Sequence, residues 1–276
     1  MSAIAQHDAM VAAYNAQRAA VAGESGDIWT GALANRFRED PRRELDPSVA
    51  AIAGLLRPDD VFVDAGGGAG RVSLPMALRC RQVLNVDPSE GMREVFESVR
   101  AEAGIENAQY IKANWLDAEG IEGDVALACH VTYFVPDIRT FIEKLTAAAR
   151  RTAAVMVYSV PPPNSSADLF LLEHGQQQSL VPGHDVLVPV LWEMGYLPEI
   201  RVLPLLREGG GGRYMGVFPT KEAAIDSLKM APGRRPADEP PPYAAGHFDE
   251  LFVQRDGGWV RRPSADARPL LITWQP

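Results

Sequence analysis

The chain has 276 residues, 46% of them hydrophobic, which is enough to bury a core in one large domain or two small ones. Its formal net charge of −9 disfavours nucleic acid as a partner, because nucleic-acid binders usually carry a basic patch or stripe. Its two cysteines suggest neither a disulfide framework nor a zinc cluster and fit a reducing compartment. With neither a basic leader nor a membrane-length apolar run in the sequence, we expect a cytoplasmic protein without a membrane partner or a metal site.

The N-terminal part of the chain predicts helices. Residues 3–21 mix alanines with larger apolar side chains at the spacing of an amphipathic helix. A turn rich in glycine follows at 23–27. We therefore expect residues 1–45 to form a helical cap or lid on a main domain of residues 46–276.

From residue 61 onward, short apolar runs alternate with amphipathic segments. Five of these runs predict buried strands, at 61–63, 83–87, 110–113, 124–130 and 153–158. The segments between them place apolar residues at i, i+3, i+4 and i+7, which is the pattern of a helix that packs on a sheet. This alternation predicts a doubly wound, largely parallel sheet with right-handed crossovers.

Beyond residue 160 the alternation becomes less regular. Helices are predicted at 166–180 and at 188–194, the second with Pro189 in its first turn, and a sixth strand is predicted at 200–206. The tetraglycine at 209–212 fits a mobile turn better than a second ligand loop, because no strand-loop-helix pattern surrounds it.

The end of the chain predicts an insert and a last strand. Residues 220–254 are interpreted as a helical insert, with helices at 220–228 and 243–253. Residues 269–274 predict the last strand.

The most informative stretch is Val61-Phe-Val-Asp-Ala-Gly-Gly-Gly-Ala-Gly-Arg71, where a strand meets a glycine-rich turn. Glycines at such a turn allow positive φ and let a ligand lie directly against the main chain. A P-loop would end in Gly-Lys-Ser/Thr, and a dinucleotide motif would place its last glycine where Arg71 stands. The remaining pattern, Asp64-x-Gly66-x-Gly68-x-Gly70, resembles the first motif of class I S-adenosylmethionine-dependent methyltransferases.

This resemblance implies that the loop binds S-adenosylmethionine. The residues expected under the methionine part of the cofactor are Asp64, Ala65, Gly66, Gly67 and Gly68. Asp87, followed by Pro88, stands at the tip of the second strand, where its carboxylate can accept hydrogen bonds from two ribose hydroxyls. The spacing from the loop to Asp87 is shared with dinucleotide folds, and an aspartate before Pro88 can also simply cap a helix.

Three residues are candidates for the adenine pocket. In the resemblance, Asn114 follows the third strand at the position that meets the adenine amino group, and Trp115 offers a face for stacking. Met92 would cover the other side of the ring. Packing explains two of them equally well, because a turn often buries a tryptophan and methionine fills gaps in cores.

The segment after the fourth strand is expected to border the reacting atoms. Cys129 and His130 should lie beside the methionine end of the cofactor, and Tyr133 could face the methyl acceptor. His130 and Tyr133 are therefore the candidate catalytic residues, although a lone histidine is more often structural. A base is not obligatory, because alignment of the reacting groups can supply ~7–11 kcal/mol by proximity alone.

The resemblance also implies the fold and the function. It implies a Rossmann-like α/β fold with a seven-stranded sheet, whose last strand lies antiparallel beside the fifth, and in-line methyl transfer to a small molecule. One alternative is a non-catalytic scaffold that binds S-adenosylmethionine. A second is an NAD-dependent oxidoreductase, but Tyr110, Tyr133 and Tyr158 lack the lysine four residues on that a Tyr-x-x-x-Lys pair requires. The oligomeric state is not predicted.

Overall fold

The computed structural model describes residues 1–22, 29, 31–205, 216–230, 239–255 and 257–276. The predicted turns at 23–27 and 209–212 lie outside the described residues. The strands that the structure describes are β1 (Val61–Ala65), β2 (Gln82–Val86), β3 (Ala108–Ile111), β4 (Gly123–Cys129), β5 (Ala149–Tyr158), β6 (Glu199–Val202), β7 (Phe252–Arg255), β8 (Gly258–Arg261) and β9 (Pro269–Trp274).

Seven of these strands form one sheet in the order β3-β2-β1-β4-β5-β9-β6. The first five are parallel to one another, whereas β9 runs antiparallel to both β5 and β6. The predicted seven-stranded, doubly wound sheet with an antiparallel last strand is confirmed. Its order reverses between β1 and β4, and ligands bind outside the carboxyl ends of the strands at such a switch point.

Helices connect most of the strands. They are α1 (Ala3–Ala22), α2 (Gly31–Asn35), α3 (Pro47–Ala53), α4 (Ser73–Ala77), α5 (Glu90–Glu102), α6 (Ile138–Ala147), α7 (Ala167–His174), α8 (His184–Glu193), α9 (Lys221–Ser227) and α10 (Phe248–Leu251). Side chains of Asp46, Ser89, Asp137 and Thr220 accept backbone hydrogen bonds at the start of α3, α5, α6 and α9. Among the described helices, none combines the length and apolarity needed to cross a membrane.

The sheet separates two apolar clusters because successive side chains of a strand point to opposite faces. Val63 and Ala126 pack in one cluster with residues of α6 and α8. Phe62 and Val125 pack in the other with residues of α3, α4 and α5. Strands β1 and β4 are therefore covered on both faces, and a ligand can approach them only from their ends.

Helix α1 is docked against the segment that follows β4. The His7 ring nitrogen Nε2 lies 3.1 Å from the carbonyl oxygen of Thr132, and Asp8 accepts a hydrogen bond of 3.2 Å from the amide of Ile138. Burial lowers the pKa of His7. The helix thus lies over the segment that carries the candidate catalytic residues, while the division into a cap and a main domain stays a prediction.

Two predicted helices have different bounds in the structure. Helix α8 begins at His184, so Pro189 lies inside it rather than in its first turn. Helix α7 ends at His174, because Gly175 takes the left-handed conformation (φ 66°). The strand predicted at 200–206 ends at Val202.

The insert is only partly helical. Helix α9 confirms the first predicted helix, whereas the helix predicted at 243–253 is reduced to α10. It is followed by the antiparallel hairpin of β7 and β8, which was not predicted. The hairpin buries Phe252 and Val260, and Gly257 takes φ 79° at its turn.

The cap of α6 provides a test of local stability. Asp137 accepts hydrogen bonds from both the amide and the hydroxyl of Thr140, at 3.1 and 2.7 Å. Changing Asp137 to alanine should therefore lower the free energy of unfolding by ~1 kcal/mol, the usual cost of a lost N-cap. Urea unfolding would measure the change. Arg139→Ala, an exposed substitution on the same helix, should shift stability much less, and equal losses would contradict the role of the cap.

Candidate active site

Residues 66–70, called the glycine loop below, join β1 to the helical turn that leads into α4. Gly66 and Gly68 take positive φ angles of 80° and 52°. A Cβ atom at Gly66 would lie 2.5 Å from Val131 Cγ2, whereas one at Gly68 would meet nothing closer than 3.6 Å. Gly66 is thus required by space as well as by conformation, and the main chain at Gly68 has room beside it.

Two buried oxygen atoms lie beneath the loop without a donor. Asp64 accepts a 2.6 Å hydrogen bond from Ser73 at Oδ2, but its Oδ1 has no partner among the described residues. Asn85 Oδ1 also lacks a partner there, while the Asn85 amide donates to the Gly68 carbonyl. Burial raises the pKa of Asp64 to about 6. These acceptors suit a ligand that brings donors, such as an ammonium group.

Asp87 is joined directly to the loop. Its Oδ2 accepts a 3.0 Å hydrogen bond from the amide of Gly68, and its Oδ1 accepts one of 2.9 Å from the amide of Ser89. The carboxylate is partly exposed, with Pro88 exposed next to it. Met92 is buried, and its sulfur lies 3.6 Å from the position of a Cβ on Gly68. The structure therefore brings Asp87, Met92 and the glycine loop together.

The other two predicted adenine contacts differ in exposure, since Asn114 is exposed and Trp115 is buried. Asn114 is exposed, and its side-chain oxygen accepts a 3.0 Å hydrogen bond from the amide of Leu116. Trp115 is 5% exposed, with the Phe141 ring centroid 6.4 Å away and the Lys144 ammonium 5.5 Å from its ring. These are the contacts of a packed residue, and the stacking of Trp115 on adenine stays a prediction.

His130 has a left-handed backbone (φ 61°), which is unusual for a residue other than glycine and often marks a functional position. Its ring is stacked on that of Tyr158, with centroids 4.5 Å apart and planes 8° apart. Burial, together with the positive charge of Arg71, lowers the pKa of His130 to about 3. The imidazole is therefore neutral at physiological pH and is a poor base.

Tyr133 is fully enclosed beside His130. Its hydroxyl oxygen accepts a 2.6 Å hydrogen bond from the amide of Tyr158 and lies 3.4 Å from His130 Nδ1. The side chain is 1% exposed, and burial raises its pKa well above the ordinary value. Direct contact between Tyr133 and an acceptor stays a prediction, whereas its contacts with the backbone of β5 and with His130 are those of a positioning residue.

Sequence reasoning missed several residues at this edge, including Asn85, Arg71 and Tyr158. In the sequence, Arg71 is significant only as a mismatch to the P-loop and dinucleotide motifs. In the structure it lies beside the thiol of Cys129, whose pKa burial raises to about 12, and it interacts electrostatically with Tyr158. The available signal was an arginine placed directly after the last glycine of the motif.

Comparison with known proteins supports the interpretation of this edge. Residues 63–157 match the family model described as a methyltransferase domain. The chain is 40% identical over 57 residues to the probable cobalt-precorrin-6B C(15)-methyltransferase (decarboxylating) of Methanocaldococcus jannaschii, a match that covers 21% of this chain and 31% of that protein. It is 29% identical over 98 residues to an uncharacterized protein of Haemophilus influenzae, covering 35% of this chain and 36% of the other.

A solved structure shows the same fold. The magnesium protoporphyrin IX methyltransferase of Synechocystis PCC 6803, crystallised with bound SAH, aligns with a TM-score of 0.50 at 16% identity, over 62% of this chain and 86% of that one. The matches to curated relatives span only about a third of the length of those proteins. The match of residues 63–157 to a methyltransferase domain and the fold shared with a solved methyltransferase agree with the motif at the glycine loop.

Proposed function

We propose that the protein binds S-adenosylmethionine at the glycine loop and transfers its methyl group to a small-molecule acceptor. The observation that carries this proposal is the hydrogen bond between the Gly68 amide and Asp87 Oδ2. It joins the two sequence features expected at the methionine part and at the ribose of the cofactor, at the switch point of the sheet.

The residues present fit this cofactor. The donor-free oxygens of Asp64 and Asn85 suit the ammonium of its amino-acid end, because an ammonium carries three donors and no acceptor. Asp87 would hold the ribose, with Met92 and Asn114 at the adenine. When bound, S-adenosylmethionine supplies a sulfonium methyl group that is already strongly electrophilic.

The protein's own contribution is then mainly positioning and exclusion of water. His130, Cys129 and Tyr133 border the end of β4, with Tyr133 holding the His130 ring through the contact at 3.4 Å. Helix α1, part of the proposed cap of residues 1–45, covers the segment after β4. Alignment in such an enclosed site can supply most of the acceleration of a displacement reaction.

The acceptor is proposed to be a small molecule. The net charge of −9 offers little attraction for phosphate backbones. One protein with the same fold is named for magnesium protoporphyrin IX, and a small acceptor for this chain is consistent with that neighbour.

Calorimetric titration with S-adenosylhomocysteine, with NAD run in parallel on the same preparation, tests the proposal. We expect micromolar binding of S-adenosylhomocysteine and none of NAD. Binding of NAD alone would instead assign the protein to the oxidoreductases. A screen of acceptors with a labelled methyl donor would then separate an enzyme from a scaffold that only binds the cofactor.

Asp87→Ala tests the ribose contact. We expect the affinity for S-adenosylhomocysteine to fall by roughly 1.5–3 kcal/mol, the scale of hydrogen bonds to a charged group. Because Asp87 also accepts from the Gly68 amide, part of the loss would come from the loop itself. Asp117→Ala, at an exposed position, serves as the control. Unchanged affinity in a folded Asp87 variant would remove this residue from the site.

A further inference from the structure

Arg71 is a partly buried cation that uses little of its hydrogen-bonding capacity. Its side chain is 18% exposed, and the nearest carboxylate oxygen, Asp46 Oδ2, lies 3.6 Å from its Nη1. The guanidinium donates a hydrogen bond to the thiol of Cys129, next to His130, and among the described residues no oxygen atom within hydrogen-bond distance accepts from it. A guanidinium carries five donors, so this environment leaves most of them available to a ligand.

The neighbouring charges do not neutralise Arg71 fully. Asp46 Oδ1 accepts hydrogen bonds from the amides of Ser48 and Val49 at the start of α3, so this carboxylate already serves as a helix cap. The second acidic residue nearby, Glu39, forms its own 2.7 Å ion pair with Arg43. The positive charge of Arg71 is therefore less compensated than that of Arg43.

The hydrogen bonds of Tyr133 favour one of the two neutral tautomers of His130. The Tyr133 oxygen accepts from the Tyr158 amide at 2.6 Å, so its own proton is left to be donated. The acceptor within reach is His130 Nδ1, at the long distance of 3.4 Å. A neutral imidazole that accepts at Nδ1 carries its proton on Nε2, and it presents a donor there.

We propose that Arg71 and the Nε2–H group of His130 form a binding site for a carboxylate beside the glycine loop. The inference rests on the proposed function, since the carboxylate would belong either to the amino-acid end of the cofactor or to the methyl acceptor. Arginine binds planar carboxylates through two parallel hydrogen bonds, which a single guanidinium can supply. The same arrangement assigns His130 the role of a donor rather than a base.

Three variants test the site. Arg71→Gln removes the charge, and His130→Phe keeps an aromatic ring against Tyr158 but removes the Nε2–H donor. Asp46→Asn is the matched control, because asparagine also caps helices well and the guanidinium of Arg71 remains. Each protein would be titrated with S-adenosylhomocysteine and with its decarboxylated analogue. The complex with S-adenosylhomocysteine would also be probed by ligand-observed NMR with acetate, benzoate and phenylacetate, and with the corresponding neutral amides.

If the site binds the carboxylate of the cofactor, Arg71→Gln should lower the affinity for S-adenosylhomocysteine roughly 10- to 100-fold and leave the affinity for the decarboxylated analogue unchanged. If the site instead binds a carboxylate of the methyl acceptor, the variants should retain their affinity for the cofactor. The acids should then bind to the wild type but not to Arg71→Gln or His130→Phe. In both cases Asp46→Asn should bind at least as tightly as the wild type, because the guanidinium of Arg71 remains and loses a neighbouring negative charge. The proposal is overturned if Arg71→Gln and His130→Phe bind S-adenosylhomocysteine and every acid as tightly as the wild type does. It is also overturned if no acid binds to the wild type and Arg71→Gln weakens the binding of S-adenosylhomocysteine and of its decarboxylated analogue equally.

The proposed function and the carboxylate site can be contradicted separately. If the wild type does not bind S-adenosylhomocysteine at all, the proposed function is contradicted. The acids would then be titrated into the free protein, where binding that depends on Arg71 would still support a carboxylate site and its absence would reject one.

Discussion

Changing Gly66 to valine should abolish detectable binding of S-adenosylhomocysteine, a loss of more than about 100-fold. Gly66 takes φ 80°, a conformation that costs a residue with a Cβ roughly 1–2 kcal/mol. The added Cβ would also lie 2.5 Å from Val131 Cγ2, so the loop or the segment after β4 must move. Either movement displaces main-chain groups that the cofactor is proposed to contact. Calorimetric titration of the folded variant measures the effect.

Gly104→Val is the matched control for this prediction. Gly104 has a similar positive φ of 63°, but a Cβ there meets no atom within 4 Å. It lies between α5 and β3, and therefore at the opposite end of the sheet from the glycine loop. We expect this variant to lose stability without losing affinity. If Gly66→Val bound S-adenosylhomocysteine as the wild type does, the loop would no longer be a candidate for the cofactor site.

Most of the fold could be predicted because its signals are local. The alternation of apolar runs identified the strands of the main sheet. Local rules failed where packing outweighed them. Pro189 lies inside α8, where burial of neighbours such as Val186 and Leu191 offsets the hydrogen bond that proline cannot donate. The four-residue strands of the hairpin are too short to show a clear period.

The candidate site, like the fold, could be predicted only in part from the sequence. The loop and Asp87 could be anticipated because a motif and a strand end specify them, and the structure places them in contact. The pairing of Arg71 with Tyr158 could not, since they are far apart in sequence and meet only through the order of β1, β4 and β5. The orientation of Trp115 was also open, because the same local sequence permits a buried or a ligand-facing ring.

Changing Asp64 to asparagine should stabilise the protein at neutral pH and weaken its binding of the cofactor. The pKa of the buried carboxyl is about 6 against an ordinary value of 3.8, so the folded state binds a proton more tightly than the unfolded state does. The stability contribution of Asp64 is therefore greatest below about pH 4 and declines as the pH rises towards 6, by up to ~3 kcal/mol. Asparagine lacks this titration and can still accept a hydrogen bond from Ser73.

Urea unfolding of the wild type and of Asp64→Asn at pH 4.5 and pH 8 tests this direction. We expect the stability of Asp64→Asn relative to the wild type to be greater at pH 8. Asp124→Asn is the control, because the hydrogen bond from Arg150 lowers the pKa of Asp124, so that its carboxylate contributes fully above about pH 4 and the stability difference from the wild type should stay nearly constant between these two pH values. A stability difference between Asp64→Asn and the wild type that does not change with pH would show that Asp64 does not titrate as proposed.

The same variant links stability to function. An ionised Asp64 with a donor-free Oδ1 is unfavourable in the free protein, and an ammonium at that oxygen would relieve the cost. Saturating S-adenosylhomocysteine should therefore raise the unfolding free energy of the wild type more than that of Asp64→Asn, and it should narrow the gap between them at pH 8. Such narrowing would mean that the carboxylate is retained for the ligand at the expense of the empty fold, as expected where function requires a locally destabilised site. An equal gain in both proteins would place the ammonium elsewhere.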